Sequence, residues 1–270
     1  MTVRVKILLV LLIFVSQVKA AGDSVTHVFS AGDTIKATEV NANFQELADR
    51  INALATANGL AQTYSYADYT TATSITTKKF QISNDGMGSH DTETMDYTRN
   101  GSETIVLRKR LSGGESGTLT QCVRLTYERS TQGVDFKKWD SLTDECTTLA
   151  ATYTLTEGIR VLDGNMVKGI PFGGGFETVI TAGDATNTRW GNDISTVLGT
   201  EDVTLTVNGT STTYPNCLKV YRDRLFASWG DAYRRTSWFC EGMGVVKMIE
   251  TRLRASSGIH SRKRELYATN

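Results

Sequence analysis

The stretch Val203-Thr204-Leu205-Thr206-Val207-Asn208-Gly209-Thr210 decides the fold class. Its apolar and polar residues alternate with a period of two, which places Val203, Leu205 and Val207 on one face of a strand. Asn-Gly then supplies two consecutive residues that tolerate positive φ, as a type I′ hairpin turn requires. The alternation recurs in Thr104-Ile-Val-Leu-Arg108, Cys122-Val-Arg-Leu-Thr-Tyr127 and Cys217-Leu-Lys-Val-Tyr221. With 24 Gly and only 2 Pro, the 270-residue chain favours strands and turns. The expectation is a mainly β fold, built as an antiparallel sheet, half-barrel or sandwich and preceded by one short amphipathic helix. The polar stretches 83–100 and 181–193 read as loops.

Working outward from this body, the helix falls within 28–57, where Val40, Phe44, Leu47, Ile51 and Leu54 recur at spacings of 4, 3, 4 and 3. That is one heptad-type stripe. Thr38 suits its start and Asn58-Gly59 its end. Two heptads are too short to be stable alone, so the stripe packs either on the body or on copies of itself. The first 20 residues carry Arg4 and Lys6, nine apolar residues from Ile7 to Val15, and small residues at Val18 and Ala20. This is the grammar of a cleavable signal peptide, and the apolar run is shorter than the roughly 20 residues that span a bilayer. Cleavage near Ala20 is expected, with a secreted, periplasmic or cell-surface destination and no transmembrane segment in the mature chain.

Residues 29–44 read Phe-Ser-Ala-Gly-Asp-Thr-Ile-Lys-Ala-Thr-Glu-Val-Asn-Ala-Asn-Phe. This resembles a segment, F-x-x-G-x-x-I-x-A-x-x-V-N-x-N-F, of secreted bacterial proteins and phage tail-fibre-like proteins. The resemblance covers about 30 residues and implies self-association, often trimeric, through the helix. A second resemblance lies in Glu201-Asp-Val-Thr-Leu205, Asn216-Cys-Leu-Lys-Val220 and Trp238-Phe-Cys-Glu-Gly-Met-Gly-Val-Val-Lys247. It is similar to uncharacterised secreted or lipoprotein-type bacterial β domains, and it brings no catalytic residue. Cys240 inside the last block departs from that pattern and suggests a local disulfide.

The expected organisation is a signal peptide (1–20), an N-terminal segment with the associating helix (21–62), a β-rich domain (63–250) and a basic tail (251–270). The tail, with Arg252, Arg254, Arg262, Lys263 and Arg264, reads as a solvated end able to cling to anionic envelope surfaces. Parallel series run from Glu103 through Cys122 and Trp139 to Cys146, and from Glu201 through Cys217 and Trp229 to Cys240. Two similar halves, about 63–165 and 166–250, or chance agreement among similar strands both account for them.

Four cysteines in an exported chain form two disulfides, with three possible connectivities. The near-equal separations favour Cys122 with Cys146 and Cys217 with Cys240. No C-x-x-C occurs and no histidine lies near a cysteine in sequence, so no metal or other cofactor is expected. Of the three histidines, His27, His90 and His260, only His90 sits where a catalytic base would be plausible, and no nucleophile elbow is present. After cleavage, 26 basic residues face 29 acidic ones, which gives no global attraction to nucleic acid. Trp139, Trp190, Trp229 and Trp238 are candidates for a ligand-binding aromatic face. The reading is an exported, non-enzymatic binding or structural protein of the envelope or extracellular space, self-associating and open to a surface partner. Its rivals are a secreted polysaccharide hydrolase using two carboxylates and a monomeric β half-barrel holding an apolar or sugar ligand.

Overall fold

The structure, a computed structural model, describes residues 26–27, 36–57, 62–84, 91–226, 231–254 and 258–270. The signal peptide, His90, Asn58-Gly59 and Trp229 lie outside the described residues. One helix, α1 (Ala37–Ala57), precedes fourteen strands. These are β1 (Thr63–Ser65), β2 (Thr77–Asn84), β3 (Asp91–Asn100), β4 (Glu103–Ser112), β5 (Thr118–Ser130), β6 (Gly133–Thr143) and β7 (Thr148–Asp163). There follow β8 (Asn165–Val167), β9 (Pro171–Ala182), β10 (Ala185–Val207), β11 (Thr210–Phe226), β12 (Asp231–Cys240), β13 (Gly244–Arg254) and β14 (Gly258–Thr269).

Twelve of the strands form one closed antiparallel barrel, each pairing with the next in the chain except where β8 leaves the sheet. The expectation of a sheet or half-barrel is thereby sharpened: the sheet rolls up until β14 pairs with β2, from Arg262 opposite Asn84 to Thr269 opposite Lys78. Backbone bonds between Asn270 and Thr76 and Thr77 finish the seam. The opening hairpin forms as its sequence requires, with Val207 opposite Thr210 and both Asn208 and Gly209 at positive φ.

β1 and β8 form a separate two-stranded ribbon. Its Tyr64 and Met166 pack with Phe172, Val197, Leu218, Val220 and Phe239 from the barrel wall, in one apolar cluster that fills this end of the lumen. Cys122 is joined to Cys146 and Cys217 to Cys240, across Cα separations of 5.5 and 4.2 Å. The first joins β5 to the turn that follows β6 and the second joins β11 to β12; the sequence separations are 24 and 23, and each stabilises by about 3 kcal/mol in the chain-entropy picture.

Two expectations are corrected. The presumed loops 83–100 and 181–193 hold all of β3 and the start of β10. The presumed solvated tail 251–270 contains the end of β13 and all of β14, with Arg264 buried. The cause is the same in each case. Their lumen-facing residues are charged, among them Asp91, Glu93, Asp193 and Arg264, so the strands show no apolar alternation.

The helix begins at Ala37, one residue before the expected cap at Thr38. It lies against β9 and β8. The side facing β9 includes Asn41, whose amide sits where a side chain on Gly175 would have to go. Phe44, Leu47, Ile51 and Leu54 are exposed, with Phe44 at 67% and Leu54 at 63%. Val40 alone of the stripe is half-buried.

The outer wall interleaves exposed Leu225, Ile249 and Leu253 with charged pairs such as Arg234 with Asp223 and Lys247 with Glu265. It is therefore not the continuous apolar band of a membrane-spanning barrel. No described helix is long and apolar enough to cross a membrane.

Closure demands close backbone approach at Gly133, which begins β6 at φ 132°, and a Cβ there would stand 2.2 Å from the Leu162 carbonyl oxygen. At Gly101, φ is 58° and nothing lies within 4 Å. Gly101→Ala is therefore expected to cost about 1 kcal/mol from the left-handed backbone alone, and Gly133→Ala at least about 3 kcal/mol. Urea unfolding of the two variants checks the difference, and equal losses would mean that the β6–β7 approach is looser than described.

Candidate functional site

The lumen beyond the apolar plug is built by period-two alternation on β10 to β14. On β11, Leu218, Val220, Arg222, Arg224 and Phe226 are buried, while Asp223 and Leu225 between them are exposed. Cross-strand register then lines the inward residues up in rows. One row runs Val197, Val220, Ser237, Met248, Arg264; the next Ser195, Arg222, Arg235, Glu250, Arg262; the third Asp193, Arg224, Tyr233, Arg252, His260. Moving away from the plug, the wall thus passes from apolar to densely cationic within two steps of the pleat.

A cavity of about 550 Å³ occupies this space. Seven of the arginines just named or adjoining them line it, Arg108, Arg222, Arg224, Arg235, Arg252, Arg262 and Arg264, and Arg99 and Arg129 extend the set. Among the described residues, Glu250 is the one carboxylate on the same wall.

Behind the wall, carboxylates hold the guanidiniums in place. Asp193 takes Arg224 and lies 3.3 Å from Arg222, which also donates to the Ser195 hydroxyl at 2.9 Å and to the Val161 carbonyl at 3.0 Å. Fully buried Glu93 accepts from Arg264 at 3.0 Å and lies 3.8 Å from Arg108. Arg252 donates to Asp231 at 2.8 Å and Arg235 to Glu250 at 3.0 Å. Among the described residues, the six guanidiniums of Arg108, Arg222, Arg224, Arg235, Arg252 and Arg264 therefore share four carboxylates, Glu93, Asp193, Asp231 and Glu250, an excess of two positive charges.

Electrostatics follow from that excess. Burial would raise the pKa of Glu250, but the Arg235, Arg264 and Arg262 guanidiniums outweigh it and hold the carboxyl at about 2. Arg262 moves the other way, to about 10, because burial and the neighbouring Arg110 and Arg264 disfavour another positive charge. Buried Lys78 falls to about 7 through desolvation and, after that, Arg99. Its ammonium nitrogen faces the Thr71 hydroxyl and the Met243 and Val245 carbonyls, at 3.1 Å and 3.2 Å for Thr71 and Val245. Two of these partners, Thr71 and Val245, also line the cavity.

Aromatic rings complete the wall. Trp139 stacks on Tyr153 at 4.3 Å and on Phe136 at 5.8 Å. Arg224 lies over the rings of Phe176, Phe226 and Tyr233 at 5.1 to 5.8 Å, contacts that favour a desolvated guanidinium.

Of the described tryptophans, Trp139, Trp190 and Trp238, the structure brings only Trp139 to this cavity. Trp190 is exposed and donates to Glu177 at 3.2 Å. Trp238 is buried beneath Lys219 and Lys247 and donates to Glu201. Asp91 pairs with Arg110, and no group of metal-ligating side chains occurs among the described residues. Arg252, Arg262 and Arg264 were read from sequence as part of a solvated tail, and Arg222, Arg224 and Arg235 were missed, because each stands between outward residues. The legible signal was R-x-R at 222–224 and 262–264, with E-x-R at 250–252.

No family model and no curated protein matches the chain. Solved structures that are similar include a lipoprotein-type protein of Parabacteroides distasonis, 11% identical, with a TM-score of 0.42 and covering 77% of this chain and 100% of that one. An exported protein of Bacteroides fragilis with a YmcC-like fold is 10% identical, with a TM-score of 0.42, covering 76% and 99% of the two chains. The lipoprotein YmcC of Escherichia coli is 11% identical, with a TM-score of 0.35, covering 82% and 94%.

Glu250 gives a pH dependence of definite sign. Its folded pKa, about 2, lies below the ordinary 4.5, so its contribution is complete above about pH 4.5 and is lost as pH falls towards 2. Glu250→Gln is expected to lower stability by about 3 kcal/mol at pH 7, with the gap to wild type closing across that window. Urea unfolding at a series of pH values checks it; a gap constant from pH 5 to 2.5 would show that Glu250 is not the group being titrated.

Proposed function

We propose that the chain is an exported, non-enzymatic binding protein whose ligand site is the barrel lumen and whose outward helix stripe joins copies of the chain. The carrying observation is the cavity itself: about 550 Å³, with a wall of guanidiniums and aromatic rings and a single carboxylate. That volume suits a small-molecule ligand. Catalysis by two facing carboxylates needs one of them protonated near neutral pH, whereas Glu250 is held at about 2 and has no carboxylate partner on the wall. No His or Cys is among the lining residues. Export is supported by the signal-peptide grammar of residues 1–20 and by two disulfides, the mark of an oxidising compartment.

Self-association is supported by the stripe and by its placement. Phe44, Leu47, Ile51 and Leu54 face away from β9 and are exposed, which is unfavourable for a monomer at about 25 cal/mol per Å² of apolar surface. The heptad spacing is that of helices packing on like helices, and the segment's resemblance to oligomerising tail-fibre segments points the same way.

Two measurements test this reading. A ligand that binds the lumen is expected to raise the melting temperature and to change Trp139 emission, a signal lost in Trp139→Phe; stabilising ligands that leave Trp139 silent would place the site elsewhere. In sedimentation equilibrium the mature chain is expected to associate at micromolar concentration, and Phe44→Ser with Leu54→Ser to yield monomers of unchanged melting temperature. A monomeric mature chain would remove the helix from the proposal.

A further inference from the structure

We infer that the lumen accepts a ligand bearing two or more anionic groups, phosphate or carboxylate, seated among Arg222, Arg252, Arg262 and Arg264 beside Trp139. The inference rests on the lumen being the ligand site and names the class of ligand.

Charge imbalance is the first ground. An ion network that served only to fill a barrel would be expected to balance its charges, because each uncompensated buried charge is costly. Here, among the described residues, six cavity-lining arginines, Arg108, Arg222, Arg224, Arg235, Arg252 and Arg264, have four carboxylates between them. Unmet hydrogen bonding is the second. The Nε atoms of Arg108, Arg252 and Arg264 are buried without a protein acceptor, and the Arg264 side chain is only 8% exposed. A buried donor left unsatisfied costs about 1 to 3 kcal/mol; Arg108 Nε has Glu93 Oε2 3.8 Å away, whereas those of Arg252 and Arg264, on neighbouring strands, mark where acceptor oxygens belong.

Geometry is the third ground. Guanidinium forks match the oxygen spacing of phosphates and carboxylates, and the rows set them on adjacent strands, with Arg222 opposite Arg235 and Arg262 opposite Glu250. Asp193, Glu93 and Glu250 fix the forks from behind, so little rotamer freedom is left to lose on binding. The Trp139–Tyr153 stack lines the same cavity and offers a flat face to a ring in the ligand's body.

The test uses the mature chain with tripolyphosphate, citrate and neutral maltotriose, followed by calorimetry and Trp139 emission, with Trp139→Phe as the optical control. Tripolyphosphate or citrate is expected to bind with a Trp139 signal, and the stronger of the two assigns phosphate or carboxylate as the recognised group. Arg252→Gln and Arg262→Gln, each shown to be folded by circular dichroism, are expected to weaken that binding about tenfold or more. Wild-type binding should also weaken between about 20 and about 200 mM NaCl, a measurement that needs no variant.

Maltotriose binding through the Trp139 signal, with neither anion bound, would keep the lumen as the site and overturn the anionic class. Binding of none of the three would overturn both. Anion binding that ignores salt, leaves Trp139 silent or survives both arginine changes would place the anion outside the lumen and overturn the inference.

Discussion

The ladder between β14 and β2 is the constraint on which the molecule depends. A twelve-stranded sheet without it has two unpaired edges and no inside; with it, every inward residue faces a space of fixed size. The pairing from Arg262 opposite Asn84 to Thr269 opposite Lys78 joins the last strand to the first strand of the barrel. It brings Arg264 to Glu93, 171 residues away. Charged side chains can therefore be buried across the seam because closure supplies the partner that either strand alone lacks.

Closure also sorts the interior along its axis. At one end the β1–β8 ribbon brings Tyr64 and Met166 onto Leu218, Val220 and Phe239, an apolar plug whose burial supports the wall. Two residues further along each strand the wall becomes cationic, with Asp193, Glu93 and Glu250 anchoring the guanidiniums. The plug keeps that layer from running through to the far end, so the cavity is bounded on one side by hydrocarbon and around its waist by fixed positive charge. Low local dielectric strengthens each interaction there, which is why Glu250 stays ionised despite its burial.

The helix stands apart from this logic. It seats polar Asn41 over the glycine run of β9, where a side chain on Gly175 would collide with the Asn41 amide. Its apolar stripe is turned to solvent. Gly175 thus makes room for the helix. Bonds from Thr26 to Glu46 and between His27 and Asn43 hold the preceding chain against the helix.

Strands with an apolar inward row were legible. Val203, Leu205 and Val207 with Asn208-Gly209 specified their hairpin down to its turn, and the spacing of the helix stripe and of the cysteines could be read directly. Strands whose inward row is charged were not. In β3, β14 and the first half of β10, Asp91, Glu93, Asp193 and Arg264 stand where an apolar residue would signal burial, so the same alternation reads as a loop or a solvated tail. Among the tryptophans, nothing local distinguished Trp139 on the cavity wall from Trp190 on the outer face. By itself, then, the sequence determined the local grammar: β class, one amphipathic helix, turn chemistry and cysteine spacing. Only the tertiary structure decided that the sheet closes, which way the helix stripe faces and that scattered arginines converge on one cavity. Inside and outside are properties of closure, and closure is made by residues almost two hundred positions apart.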